Sequence, residues 1–315
     1  MSYTKPNLNA KCIGFLLAIR GIVLHKPSVM LSALFMLLSA VAVAGEKVNS
    51  VLDVEAQGTL YIENTRGQLQ IEGWDKPQIM VQGELDDAAK QLFFKRKGPK
   101  SIVKVVLERG HHGGDGSRLK IFVPQQTFIR FRGINTDYSF ANFDAKVEGE
   151  TINGAISLDE VHGKMVVSSV SGGIKVANSS GVAVVESVSG KVDFSGQFDK
   201  AQIKSMSGNI IADIGQIQLL LVENVTGNTA ISGQLQNNAK VNLNSVSGHI
   251  RYVANKKFTG KCEVASQFGG QINNQLTTDK PWKEMLQQRK LKFESGDGTG
   301  KLTMNTVSGS VILEQ

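Results

Sequence analysis

Cysteine is almost missing: the 315-residue chain has two, Cys12 and Cys262. With one thiol beyond the N-terminal segment, no internal disulfide can form, so packing and backbone pairing must hold the fold. Proline is scarce at 6 residues and aromatics make up 6%, which argues against proline-rich linkers and an aromatic-rich core. Disorder is excluded by a hydrophobic fraction of 41%. Glycine, at 33 residues, is abundant and fits many tight turns.

Acidic residues are absent before Glu46, whereas Lys5, Lys11, Arg20 and Lys26 precede it. An apolar run from Val29 to Ala44 ends in the small residues Ala42-Val43-Ala44. This pattern predicts a signal peptide over 1–44, cut before Gly45. The run falls short of the roughly 20 residues that span a bilayer comfortably. The alternative is retention as an N-terminal anchor, the one route to a membrane. No cysteine follows the run to carry a lipid. The formal charge of +7 then shrinks, because the four bases leave with the leader and 31 remain against 28 acids. The remaining +3 gives no electrostatic case for a nucleic acid partner.

What the chain does have is a phrase repeated at a fixed period. Ser187-Val188-Ser189-Gly190 recurs as Ser169-Val170-Ser171-Gly172, Ser205-Met206-Ser207-Gly208, Asn224-Val225-Thr226-Gly227, Ser245-Val246-Ser247-Gly248 and Thr306-Val307-Ser308-Gly309. A weaker copy, Thr151-Ile152-Asn153-Gly154, opens the series. From Gly154 through Gly172, Gly190, Gly208 and Gly227 to Gly248 the steps are 18, 18, 18, 19 and 21 residues, with Gly163 and Gly181 halfway. Aligned on the glycine, aliphatic residues fall two and four positions after it and five and seven before it. Ile174, Val176, Val185 and Ala183 illustrate the set, with charged residues such as Lys175 and Glu186 between them. That is period-2 alternation at a constant phase, strand–turn–strand–turn in each copy. One such unit cannot bury its own apolar face, but stacked copies can. The expectation is an all-β parallel β-solenoid with coils of about 18 residues. A polar ladder of Ser169, Ser187, Ser205, Asn224 and Ser245 should run near its corner. The turn glycines, with Gly173, Asn209 and Asn228 after them, should supply positive φ or a tight approach.

Residues 45–126 read as a strand-rich N-terminal part, and 127–315 as the regular solenoid. Asp86 is placed to cap a short helix over 87–94, and Ile102–Leu107 should pair with Leu119–Val123. Aligned on Gly269, Cys262 and Val264 point inward, which makes Cys262 a core residue. Pro281 and the spacing of Trp282, Met285 and Leu286 predict a helical insertion at about 277–295.

Chemistry is harder to find. Gly110-His111-His112-Gly113-Gly114-Asp115-Gly116 pairs imidazoles with a carboxylate but lacks a third ligand at strand or helix spacing, so it reads as a solvated loop. Gly296-Asp297-Gly298-Thr299-Gly300 precedes a strand and lacks the Gly-Lys-Ser/Thr ending of a phosphate loop. Asp159, Glu160 and His162 form the densest acidic spot but lie at a turn. Outward Glu186 and Glu223 have Lys204 between them, an alternating-charge surface rather than paired catalytic acids. No catalytic, cofactor or metal site is expected. Outward Val166, Val184 and Leu221 share one phase, and they are the candidate interaction surface if no other segment covers them.

The order of a strand ending at Pro124 followed by stacked Ile/Val-x-Asn/Ser-Gly-x-Ile/Val-x-Leu/Val units resembles the bacterial putative-adhesin family of unknown function. Gly67, Ile71, Gly73 and Trp74 resemble its early repeat, and the likeness runs over about 50–315. It implies an exported β-solenoid in the periplasm or at the cell surface. The expected function is a non-enzymatic, adhesion-type or scaffolding envelope protein whose partner is an envelope protein or a glycan. The alternatives are a polysaccharide-binding or polysaccharide-processing β-helix and a self-assembling envelope scaffold, since a terminal coil offers unpaired edge groups.

Overall fold

The computed structural model describes residues 45–110 and 114–315; the expected signal peptide over 1–44 lies outside them. The chain begins with β1 (Lys47–Asp53), β2 (Thr59–Trp74), β3 (Gln78–Glu84), β4 (Ala89–Lys97), β5 (Lys100–Leu107) and β6 (Ser117–Pro124). The regular region follows as β7 (Phe128–Phe143), β8 (Val147–Thr151), β9 (Ile156–Ser169), β10 (Ile174–Ser187), β11 (Val192–Ser205) and β12 (Ile210–Asn224). Shorter strands complete it: β13 (Thr229–Gly233), β14 (Lys240–Ser245), β15 (Ile250–Ala254), β16 (Gly260–Ser266), β17 (Ile272–Asn274), β18 (Trp282–Lys283), β19 (Arg289–Ser295), β20 (Lys301–Thr306) and β21 (Val311–Glu314). All are joined in one hydrogen-bonded, mostly parallel sheet, consistent with a β-solenoid-like fold.

Each long strand bends once and so contributes to both faces of a coil. Like pairs with like: Ile174 lies beside Ile156 and Val192, and Val185 beside Val167 and Ile203. The four predicted inward phases are buried throughout, from Ile156 and Met165 to Leu302 and Leu313. The loosening period has a local cause. The register shifts by one residue between Gly196 and Gln197 against β12, and the rest of the drift lies in the segment between β13 and β14.

The two kinds of glycine do different work. A Cβ on Gly190 would sit 2.0 Å from the Gly172 carbonyl oxygen, and one on Gly172 would sit 1.8 Å from that of Gly154. The phrase glycines are required by this close approach of successive coils, not by positive φ. Positive φ belongs to the opposite bend, where Gly163, Gly181 and Gly196 lie at 150°, 113° and 148°. Asn209 and Asn228 are not left-handed either. Their side-chain oxygens accept the backbone N–H of Asn228 (2.9 Å) and His249 (3.1 Å) one coil on. The polar ladder is buried: Ser205 Oγ accepts from Gly208 N–H at 2.9 Å and donates to Gly208 O at 3.1 Å.

Both ends depart from serial stacking. The first half of β2 lies between β5 and β7 and its second half between β6 and β7, so a later excursion becomes the outer coil. Ile102–Leu107 and Leu119–Val123 are therefore strands, but each pairs with β2 rather than with the other. Antiparallel β4 covers β5, while β3 covers β6 and β1 covers β3. The expected helix over 87–94 is strand β4. Asp86 is instead a buried anchor that accepts from Arg66 Nη2 at 2.8 Å and from Ala88 N–H at 2.8 Å. At the other end β20 lies between β14 and β16, and β21 between β15 and β17. The expected helix at 277–295 is β18, one 3-10 turn at Met285–Gln287, and β19. There the alternation of Leu291 and Phe293, both buried, outweighs the helical spacing of Trp282 and Met285, both exposed. Strand β19 also pairs antiparallel with the outer edge of β16, which would otherwise present unpaired backbone groups.

Candidate functional site

One face of the solenoid is a continuous ladder from β5 through β2, β7, β8, β9, β10, β11, β12, β14 and β20 to β16. Glu148, Val166, Val184, Gln202 and Leu221 stand side by side on it. Val166 and Val184 are thus neighbours, whereas Gln202 separates them from Leu221. All three are half-buried, and the insertion at 277–295 pairs with β16, three strands beyond the β12 strand of Leu221.

The two valines line a recess of about 470 Å³ together with Arg130, Arg132, Glu148, Glu150 and Glu186. Gly149 contributes to its shape. It occupies a core phase without a side chain, and a Cβ there would lie 2.1 Å from Phe131 O and 2.5 Å from the Phe131 ring. Glu148 and Glu150 of the recess wall are paired with bases. Arg132 meets Glu150 at 2.8 Å, and Glu148 meets Lys146 and, at 3.7 Å, Arg130. The Lys146 ammonium is foremost in holding the Glu148 carboxyl below the ordinary carboxylate range, and the Arg130 and Lys164 charges add to this. Lys146 and Arg130 also sit over the Phe128 ring at 4.7 and 4.9 Å. The result is an apolar patch framed by charges, of which Glu186 is in no ion pair among the described residues.

The remaining sequence candidates fall elsewhere. Asp159, Glu160 and His162 lie at the β9 bend, where Asp159 accepts from Asn178 Nδ2 (2.9 Å) and His162 Nδ1 meets Ser180 Oγ (2.9 Å). Of the glycine–histidine loop, 111–113 lie outside the described residues; Asp115 is 3.4 Å from Arg118. Among the described residues no group of three or more His, Cys, Asp or Glu could hold a metal ion. Cys262 is fully buried, and burial pushes its thiol up to about 12.

Sequence reading missed a second feature. The second residues of the phrase form an exposed aliphatic stripe along the corner, Ile152, Val170, Val188, Met206, Val225 and Val246, with Ile134 one coil before them, 39–57% exposed. Backbone bonds link it coil to coil, as from Ser189 N to Val170 O at 2.9 Å. The signal was visible, since an apolar residue stands at this phase in every copy between hydroxyl-bearing or amide neighbours.

With the geometry established, comparison with solved structures gives distant matches. A putative lipid binding protein from Parabacteroides distasonis matches with a TM-score of 0.51 at 12% identity, over 86% of this chain and 96% of that one. A putative adhesin from Parabacteroides merdae matches with a TM-score of 0.50 at 9% identity, over 86% and 96%. At such identities the likeness shows the fold alone, and it agrees with the resemblance read from the repeats. No family model matches this chain, nor does any curated protein.

Proposed function

We propose that the chain is a non-enzymatic, exported cell-envelope interaction protein of the adhesion type, whose partner is an envelope protein or a glycan. One observation carries the reading: Val166 and Val184 are half-buried in a recess where Glu148 and Glu150 are paired with arginine and lysine. A partner seated there would bury apolar area inside a ring of charges that fixes orientation. The description of a fold relative as a putative adhesin supports the same reading, and the apolar leader supports export.

Crosslinking in intact cells, followed by fractionation and pull-down, tests the proposal. The intact chain should be recovered in the envelope fraction with a discrete crosslinked partner. Val166→Asp with Val184→Asp should abolish the crosslink while leaving the β-sheet circular dichroism spectrum unchanged. Recovery only as an unpartnered cytoplasmic monomer would overturn it.

A further inference from the structure

Beside the valine row runs another outward row, two residues earlier in each strand. In consecutive register it reads Lys164, Val182, Lys200, Leu219, Lys240, Lys301 and Lys261. It contains five lysines and no acid, and all five lysines are exposed. Lys301 is held by Glu263 at 2.6 Å and Lys261 by Glu294 at 3.2 Å. Among the described residues no ion pair engages Lys164, Lys200 or Lys240.

These three lysines stand on alternate strands, so about 9.6 Å separates their attachment points along the axis. The strands between them carry apolar pairs: Val182 with Val184, and Leu219 with Leu221. Along the solenoid the surface therefore alternates cation, apolar pair, cation, apolar pair, cation. An axis-aligned linear polymer with one carboxylate on every second unit would place each charge on a lysine and the apolar face of the intervening ring on an aliphatic pair. We propose that this row binds a linear acidic polysaccharide laid along the solenoid axis. The proposal rests on the preceding reading that this face is a partner seat, and it names the ligand class.

Two other polyanions fit less well. Single-stranded nucleic acid binds through exposed aromatic platforms, and the row from Lys164 to Lys261 has none. A flat anionic membrane would meet Glu186 and Glu223, on the same face of β10 and β12, as well as the lysines.

The experiment measures binding of the exported, purified chain to hyaluronate, a linear polymer with one carboxylate on every second sugar, to neutral dextran and to phosphatidylglycerol vesicles over a salt series. Hyaluronate should bind with strong salt dependence and dextran should not. The Lys164→Gln/Lys200→Gln/Lys240→Gln variant should bind roughly tenfold more weakly. The charge-matched Lys175→Gln/Lys256→Gln/Lys257→Gln variant, altered off this row, should bind like the parent chain. Equal losses in both variants, or vesicle binding without hyaluronate binding, would overturn the proposal. So would absent polymer binding with intact envelope crosslinks, an outcome that leaves the interaction reading standing.

Discussion

In the middle of this solenoid, β9 to β12, neighbours in space are neighbours in sequence. At both ends they are not. The middle coils are specified by repetition: the same aliphatic phases, the same buried serine and the same glycine pressed against the coil before it. The ends are specified by long-range insertion. Strand β2 is clasped between β7 and the later β5 and β6, and the last coil, β20 and β21, is clasped between β14/β15 and β16/β17. Antiparallel strands then finish each end, β4, β3 and β1 at one and β19 at the other. A repeat can extend itself indefinitely; what stops it here is chain that leaves the repeat and returns.

The strongest way to break this comparison is truncation. In a serial solenoid, removing the last coil costs one nearest-neighbour interface and leaves the rest intact. Here a chain ending at Gly300 loses the strands that β14 and β16 share, so the outer coil and its β19 cover lose their seat together. Thermal unfolding followed by circular dichroism, with limited proteolysis, should show the 254–300 region cleaved under native conditions and the midpoint lowered by more than 10 °C, on the order of 5 kcal/mol at this chain length. Unchanged protection of that region would mean that the last coil is dispensable.

Next in size is a test inside the repeat. Gly190→Ala places a Cβ against a backbone carbonyl that cannot move without displacing its whole coil. The expected loss is roughly 4 kcal/mol or more by denaturant unfolding. Gly173→Ala, whose nearest atom would be Lys191 O at 3.4 Å and which has no left-handed backbone, should change stability by less than about 0.5 kcal/mol. Similar losses at both sites would mean that backbone freedom, rather than close approach, governs the phrase.

The same contrast explains what could be read in advance. A coil repeats its contacts, so the phase of Val185 or Leu220 declares it core without any knowledge of its neighbours. Gly190 gave no such answer, because close approach and positive φ both select glycine, and only the adjoining coil distinguishes them. The terminal elements were misread because their pairing partners are distant in sequence. Leu291 and Phe293 are a strand because β16 offers an edge; Asp86 is an anchor because β2 brings Arg66 to it. For the candidate site, Val166, Val184 and Leu221 were legible as outward residues. The recess was not, since it depends on Arg130 and Arg132 from β7 and on the side chain missing at Gly149.

The smallest expected effect separates the ends from the middle by charge. In the middle, Lys204 and Glu223 pair singly across adjacent strands at 3.2 Å. At the C-terminal end, Glu263 on β16 is held by Lys301 of β20 at 2.6 Å and Lys292 of β19 at 3.2 Å, so one carboxylate joins the inserted coil to its cover. The Lys301 hydrogen bond, then that of Lys292, hold the Glu263 carboxyl below its ordinary value of 4.5. A carboxyl depressed in the folded state adds stability that is present above the unfolded value. That stability is lost as pH falls through the lower folded value, so the window lies at and below about 4.5. With its side chain 38% exposed, Glu263 is screened by solvent, and the contribution should stay under about 1 kcal/mol. Glu263→Gln should therefore lower the thermal midpoint slightly at pH 7 and narrow its gap from the parent chain as the pH is taken from 5 to 3. Glu223→Gln, which removes a single ion pair, should lower the midpoint at pH 7 by less. A constant gap across that range would show that the Glu263 clamp acts through packing rather than charge.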